Sequence, residues 1–281
     1  MSSLGPRPGK GKGPQVILHA DDFGETVEIT RGICIAIDAG VVTSTTIMAN
    51  MPGTEDALHR APALAASASF GVHLDLCEGR PLTQCHSLLD ANGCFFSKRK
   101  MFLQSVSGRL SPAELEAEIS AQIACVRDAG IRISHVDGHK HLHQLPMVAA
   151  AVAKVVPRFG IERVRVTRLA RVQAAFQPAT LVRELLAWKA AGTFRRAGLR
   201  SPRRVVDLHS LMCQGDPHQA GAPLRDATGV VEVFCHLGTA LADIEKPGSC
   251  QRHAELEYLL SEGFRQVLNL GGVKLVSYWE I

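Results

Sequence analysis

Val16-Ile17-Leu18-His19-Ala20-Asp21-Asp22-Phe23-Gly24 is a short apolar run that meets a polar turn. A strand buried on both faces and ending at a functional loop has this pattern. Residues 26–39 follow, with Val27, Ile33, Ile35 and Ile37 before a stop at Gly40, and predict a helix. The alternation then repeats down the chain. Residues 43–49 are β-branched and residues 69–76 alternate, so both predict strands, and the Ala/Leu-rich residues 55–66 between them predict a helix. Further on, Ser111 at an N-cap, Pro112 at the first helical position and Glu114 at the third open a helix to Gly130. Residues 132–137, 163–167, 204–210, 230–237 and 274–278 read as strands, and 145–158, 178–197 and 253–262 as helices. About eight strands alternating with helices imply βαβ crossovers and a parallel sheet, closed as a barrel or open and doubly wound.

Between the third strand and the Ser111 helix, residues 77–110 dissolve into Gly, Pro, Asn and Ser, with a hairpin signal at Asn92-Gly93. A connection this long without structure of its own is usually a lid or a substrate wall. The first fourteen or so residues are rich in Gly, Pro and Lys and predict a disordered leader, residues 1–14, before a single domain over 15–281. The chain has 281 residues, 46% of them hydrophobic and 21% charged, which suits a globular chain with a sizeable core. Aromatic residues are 5% and net charge is +4, with the basic excess at Arg7–Lys12 and residues 195–204. Neither a stacking platform nor a dense phosphate-binding stripe is present, so nucleic acid is not the expected partner. Eight scattered cysteines without a CxxC pair read as reduced thiols, and no apolar run is long enough to span a bilayer. The expected location is cytoplasmic without stable membrane insertion, and a homodimer would be ordinary.

In parallel α/β folds, ligands sit at the C-terminal ends of the strands. Polar residues accumulate there: His19, Asp21 and Asp22; His73 and Asp75; Asp207 and His209; and His236. The run His135-Val136-Asp137-Gly138-His139-Lys140-His141-Leu142-His143 places four of the twelve histidines within nine residues. That density, beside further Asp and His at neighbouring strand ends, points to an open site of two histidines and one carboxylate. Gly138 is expected to turn the backbone there. An Asp-Asp pair also suits a turn with a helix N-cap, which leaves Asp21 and Asp22 with two readings. One has a carboxylate ligating a metal while its neighbour acts as general base. The other is structural.

Four segments stand in order: Ala20-Asp21-Asp22-Phe23-Gly24, Val42-Thr43-Ser44-Thr45-Thr46, Gly71-Val72-His73-Leu74 with Gly79-Arg80-Pro81-Leu82, and the His135–His143 run with Pro146. Glu232-Val233-Phe234-Cys235-His236 and Leu275-Val276-Ser277-Tyr278 follow them. This series resembles the YdjC-like carbohydrate deacetylase family. The resemblance implies a distorted, TIM-barrel-like (β/α) barrel related to NodB-type polysaccharide deacetylases. It implies hydrolysis of an N-acetyl group from an acetylated sugar, oligosaccharide or glycolipid, with one divalent metal ion, magnesium or zinc. Carried over, Asp22, His73 and His139 match the metal ligands, Asp21 the catalytic base, and His236 the general acid or an oxyanion partner. His141, His143 and His209 remain candidates for sugar contacts or structure. Lys140 and Leu237 depart from the family pattern, which touches substrate choice. Two rivals stand beside this reading: a phosphoesterase-type metal hydrolase on the same barrel, and a sugar-binding homologue without catalysis.

Overall fold

The first strand, β1 (Gln15–Phe23), is buried from its second residue to its last and carries sheet neighbours on both sides. The computed structural model describes residues 13–167, 178–225, 229–245, 251–270 and 272–281; the predicted leader, up to residue 12, and Cys250 lie outside them. After β1 come α1 (Val27–Asp38), β2 (Ser44–Ile47), α2 (Thr54–Leu64), β3 (Ser69–Leu74), α3 (Lys98–Val106), α4 (Pro112–Asp128), β4 (Ile133–Gly138) and α5 (Pro146–Val155). The second half holds α6 (Pro178–Arg196), β5 (Arg204–Asp207), α7 (Leu208–Met212), α8 (Pro217–Arg225), β6 (Val230–His236), α9 (Ala240–Glu245), α10 (Arg252–Leu260), α11 (Glu262–Leu270) and β7 (Lys274–Leu275).

All strand pairs are parallel, in the order β4-β3-β2-β1-β6-β5, and β7 pairs with the start of β1 at Gln15 and Val16. Single parallel bridges continue the circuit beyond β4, Val136 to Val164 and Arg163 to Arg200. Four residues after Arg200, Arg204 pairs with Val231 of β6. The sheet therefore curls round on itself as a distorted barrel whose thinnest wall is at residues 163–166. A strand's side chains alternate between faces. Val16, Leu18 and Ala20 join the large apolar core with the helices, while Ile17 joins a small separate cluster with Val276 and Tyr278. His19 and Asp21 share the face of Ile17. The barrel interior is thus apolar at its floor and ionisable above.

Several predicted elements shift. Residues 77–110 contain α3, so this connection is not structureless, though the expected hairpin is there as an antiparallel bridge, Leu89 to Phe95. Residues 163–167 make isolated bridges and no continuous strand. The strand predicted over 204–210 stops at Asp207, whose carboxylate accepts the His209 N–H and caps α7. The last predicted strand shrinks to two residues and passes into a 3₁₀ turn at Tyr278–Glu280. No helix among the described residues is long and apolar enough to cross a membrane, and the described cysteines form no disulfide.

Candidate metal centre

Asp22 decides how the end of β1 is used. It takes φ +70°, a left-handed conformation rare for a residue with a side chain, where the β1–β2 register also shifts. With this irregularity in the strand, neighbouring carboxylates both serve the site: Asp21 pairs with Arg165, and Asp22 with His73 of β3 and His139 just past the end of β4. The capping alternative fails for both, since Thr26 Oγ1 accepts the Ile29 N–H and caps α1.

Asp22, His73 and His139 come together as a buried group whose donor atoms all lie within 4.8 Å of one another. His73 Nε2 is 3.2 Å and His139 Nδ1 3.0 Å from Asp22 Oδ1. His73 Nδ1 donates to Asp137 Oδ1 at 2.7 Å, which fixes the ring and leaves Nε2 directed at the cluster. A carboxylate behind a ligating imidazole is the common outer support of a metal site. Thr46 Oγ1 contacts both His73 Nδ1 and Asp137 Oδ2, at 3.1 and 3.2 Å. Arg252 Nη2 holds the other Asp22 oxygen at 2.7 Å and Glu25 at 2.8 Å.

The electrostatics favour a cation here. Burial works against the Asp22 carboxylate, but His139, His73 and Arg252 beside it hold it well below the usual range. Burial likewise opposes a charged His139, yet Asp22 and Glu78 outweigh it and raise the ring to about 9. His73 is raised as well, against its own burial, chiefly by Asp137. A carboxylate between two imidazoles has the donor set for a divalent ion, which would take the place of the imidazole protons, and two nitrogens with one oxygen suit zinc and other borderline metals.

Asp21 is set apart from the cluster by an arginine that the motifs do not announce. Arg165, wholly buried, forks onto Asp21 with Nη2 to Oδ1 at 2.7 Å and Nη1 to Oδ2 at 2.9 Å. It also contacts Asp137 Oδ2 at 2.9 Å, and its Nε donates to Glu232 Oε1 at 2.7 Å. Burial pushes Asp21 up, but Arg165 and His73 more than reverse this, and the carboxylate stays ionised. His236 lies beside Asp21, as its register partner on β6, rather than across the mouth. It is half-buried, and its backbone N–H donates to Glu255 Oε2 at 2.7 Å.

The other candidates separate. His141 points to the mouth, with Nδ1 3.3 Å from Thr167 Oγ1 and its ring edge against Phe234. His143 turns away: Nε2 donates to the Arg165 carbonyl at 3.0 Å and its ring stacks on Phe194. His209 sits on α7 near Cys213, and Asp75 closes a turn by accepting the Cys77 and Glu78 N–H groups. The chain turns after β4 at Lys140 and His141, both left-handed at φ +51° and +61°, and not at Gly138, whose backbone is extended. Gly138 answers to space instead, because a Cβ there would stand 2.8 Å from the His143 ring. Arg165 and Arg252 escaped the sequence reading, and Thr46 and Glu232 stood in its quoted segments without a role. The only signal was charge alternating with valine, as in Arg163-Val164-Arg165-Val166.

A cavity of about 550 Å³ opens next to Lys140 and His141 and is walled by Lys98 and Phe102 of α3 and by Val182 and Leu186 of α6. One wall, α3, belongs to the 77–110 connection that the sequence reads as a lid or substrate wall.

Comparison with known proteins places the chain in a family. The profile of the family described as YdjC-like protein matches residues 15–270. The carbohydrate deacetylase of Homo sapiens is 29% identical over 94% of this chain and 90% of its own length. The carbohydrate deacetylase of Geobacillus stearothermophilus is 35% identical over 55% of this chain and 60% of its own. Among solved structures, a protein from Enterococcus faecalis named for cellobiose-phosphate cleavage superposes with TM-score 0.76 over 95% of this chain and 98% of that one. At 22% identity it speaks for the fold alone.

Proposed function

This chain belongs to the YdjC-like protein family, and from that membership we propose that it is a metal-dependent carbohydrate deacetylase, hydrolysing the N-acetyl group of an acetylated sugar to a free amine and acetate. The observation that carries the reading is a buried Asp–His–His donor set with a second, separately held carboxylate at its side. Asp22, His73 and His139 would hold the divalent ion, zinc by donor type or magnesium by resemblance. Such an ion, when bound, polarises a carbonyl oxygen and makes a bound water a stronger acid.

Asp21 is the base. Oδ1 faces both Arg165 Nη2 and His19 Nε2, at 2.7 and 3.4 Å, whereas Oδ2 spends one lone-pair direction on Arg165 Nη1 and keeps another for the proton of an attacking water. The fork fixes the carboxylate's plane, so little is lost to reorientation at the moment of reaction. His236, next to Asp21 and partly open to the mouth, gives a proton to the departing amine. Acetylated sugar reaches the site past Lys140 and His141, with the cavity between α3 and α6 for the rest of the substrate.

The test is acetate release from N-acetylglucosamine oligomers, before and after chelation, with zinc or magnesium restored. Release that chelator abolishes and metal returns is expected; no release from any N-acetylated sugar overturns the reading. One observation favours a two-ion hydrolase: Glu25, Glu78 and His139 form a second group of donors that shares His139. Arg252 on Glu25 and Lys140 on Glu78 already compensate those carboxylates. One metal ion per chain is the expected stoichiometry, and two would favour the phosphoesterase reading.

A further inference from the structure

The floor of the barrel interior is closed by Tyr278, whose side chain is fully buried. Its ring lies flat on that of His135, with centroids 3.4 Å apart and planes 4° from parallel. Its hydroxyl donates to Glu232 Oε2 at 2.6 Å. The other oxygen of Glu232 accepts Arg165 Nε at 2.7 Å, and the far end of the same guanidinium forks onto Asp21. Three consecutive links thus join the floor to the mouth, every member buried.

Packing alone does not account for this line. Buried charges are a poor source of stability, and apolar residues of similar volume often serve as well or better. Geometry gives the line a purpose. Arg165 Nη1 is shared between Asp21 and Asp137, at 2.9 Å each, and Nη2 between Asp21 at 2.7 Å and Glu232 Oε1 at 2.5 Å, so the fork on Asp21 sits between two flanking carboxylates that pull the guanidinium opposite ways. Glu232 holds the opposite edge, and Tyr278 in turn holds Glu232. With Glu232 released, the guanidinium is free to tilt toward Asp137, and Asp21 loses one arm of its fork.

We propose that Glu232 and Tyr278 are positioning residues for the hydrolysis, fixing the Arg165 guanidinium and through it the aim of the Asp21 carboxylate. This rests on the reading of Asp21 as the base. Neither residue touches the Asp22–His73–His139 group, so metal content is expected to be indifferent to them.

The decisive variants are Tyr278→Phe, which removes one oxygen and keeps the ring stack, Glu232→Gln, and the pair together. In the acetate-release assay Tyr278→Phe is expected to lower kcat roughly tenfold with KM and metal content unchanged, because misaiming by a fraction of an ångström is enough. Glu232→Gln should lose more. The double variant should be no worse than Glu232→Gln alone, since the tyrosine acts through that carboxylate. Unchanged kcat in Tyr278→Phe, additive losses in the pair, or a fall in kcat that follows loss of metal would each overturn the proposal. Should the wild-type chain release no acetate, the deacetylase reading falls, and crystal structures of wild-type and Tyr278→Phe then decide the positioning role. A fork on Asp21 broken in the variant supports it, and a fork unchanged overturns it.

Discussion

Two adjacent aspartates with opposite duties make the sharpest test at the scale of single residues. Asp22→Ala, His73→Ala and His139→Ala should each lower bound metal and acetate release together, because three ligands from three strand ends hold one ion. Full metal occupancy in all three would refute that ligand set. Asp21→Asn should behave differently: metal stays while the rate falls by roughly 10²–10⁴, the amide keeping the shape but accepting no proton. His236→Ala should fall likewise, and less for sugars whose amine departs easily. Since Thr26 caps α1, loss of a helix cap no longer competes as an explanation for an Asp21 defect. Normal turnover with metal retained would remove Asp21 from the chemistry. All five stand among the His and Asp residues that the sequence gathers at strand ends, but only the family resemblance singled them out from neighbours such as His19, Asp75 and His135. Arg165 was not legible in the sequence, because a buried arginine is recognisable only by the carboxylates around it, which come from three other strands.

Between elements, Glu255 of α10 takes the N–H of His236 at the end of β6 and so joins an outer helix to the site. Burial, only partly relieved by that N–H, and aggravated by nearby Asp207, pushes Glu255 from 4.5 up to about 8. The folded state therefore holds a proton that the unfolded chain gives up near pH ~4.3. Stability from this group is fully present below that pH and is withdrawn as pH rises to about 8. Glu255→Gln keeps an acceptor for the His236 N–H without the charge. Its melting temperature should fall less than the wild type's between pH 5 and 9, by on the order of a few degrees. Parallel slopes in the two proteins would sink the assignment. Helices and central strands were readable because their apolar spacing is local, as with Ser111, whose side chain does accept the Glu114 N–H. Glu114 itself reaches across to Ser87 instead of back to its cap, a tertiary preference that spacing cannot show. The wall at residues 163–166 and the short β7 were overread for the same reason: a β-like composition says nothing about how many partners the strand will find.

Taken as a whole, the molecule uses charge where its sheet is thin. The 163–166 segment meets its neighbours through single bridges, yet its Arg165 reaches inward to carboxylates on β1, β4 and β6. A lone guanidinium among Asp21, Asp137 and Glu232 is held fully charged, its burial outweighed by those three groups. Removing it strands them in the interior. Arg165→Met, similar in volume and apolar, should therefore lower stability by about 3–5 kcal/mol, the usual consequence of breaking a buried pair from one side. Urea unfolding gives the measure, as a lowered midpoint at constant slope. Arg165→Lys separates charge from shape: the ammonium can still compensate the carboxylates, but one point charge makes no planar fork. That variant should keep most of the stability and its metal while kcat falls at least tenfold, since Asp21 loses its fixed plane. If Arg165→Met instead unfolds with a midpoint within about 1 kcal/mol of wild type, the carboxylates are being satisfied by protons or water. Arg165 would then orient the base without holding the barrel. If Arg165→Lys fails in both respects, stability and aim come from the same two-pronged geometry, and the barrel's weakest wall and its catalytic carboxylate depend on one side chain.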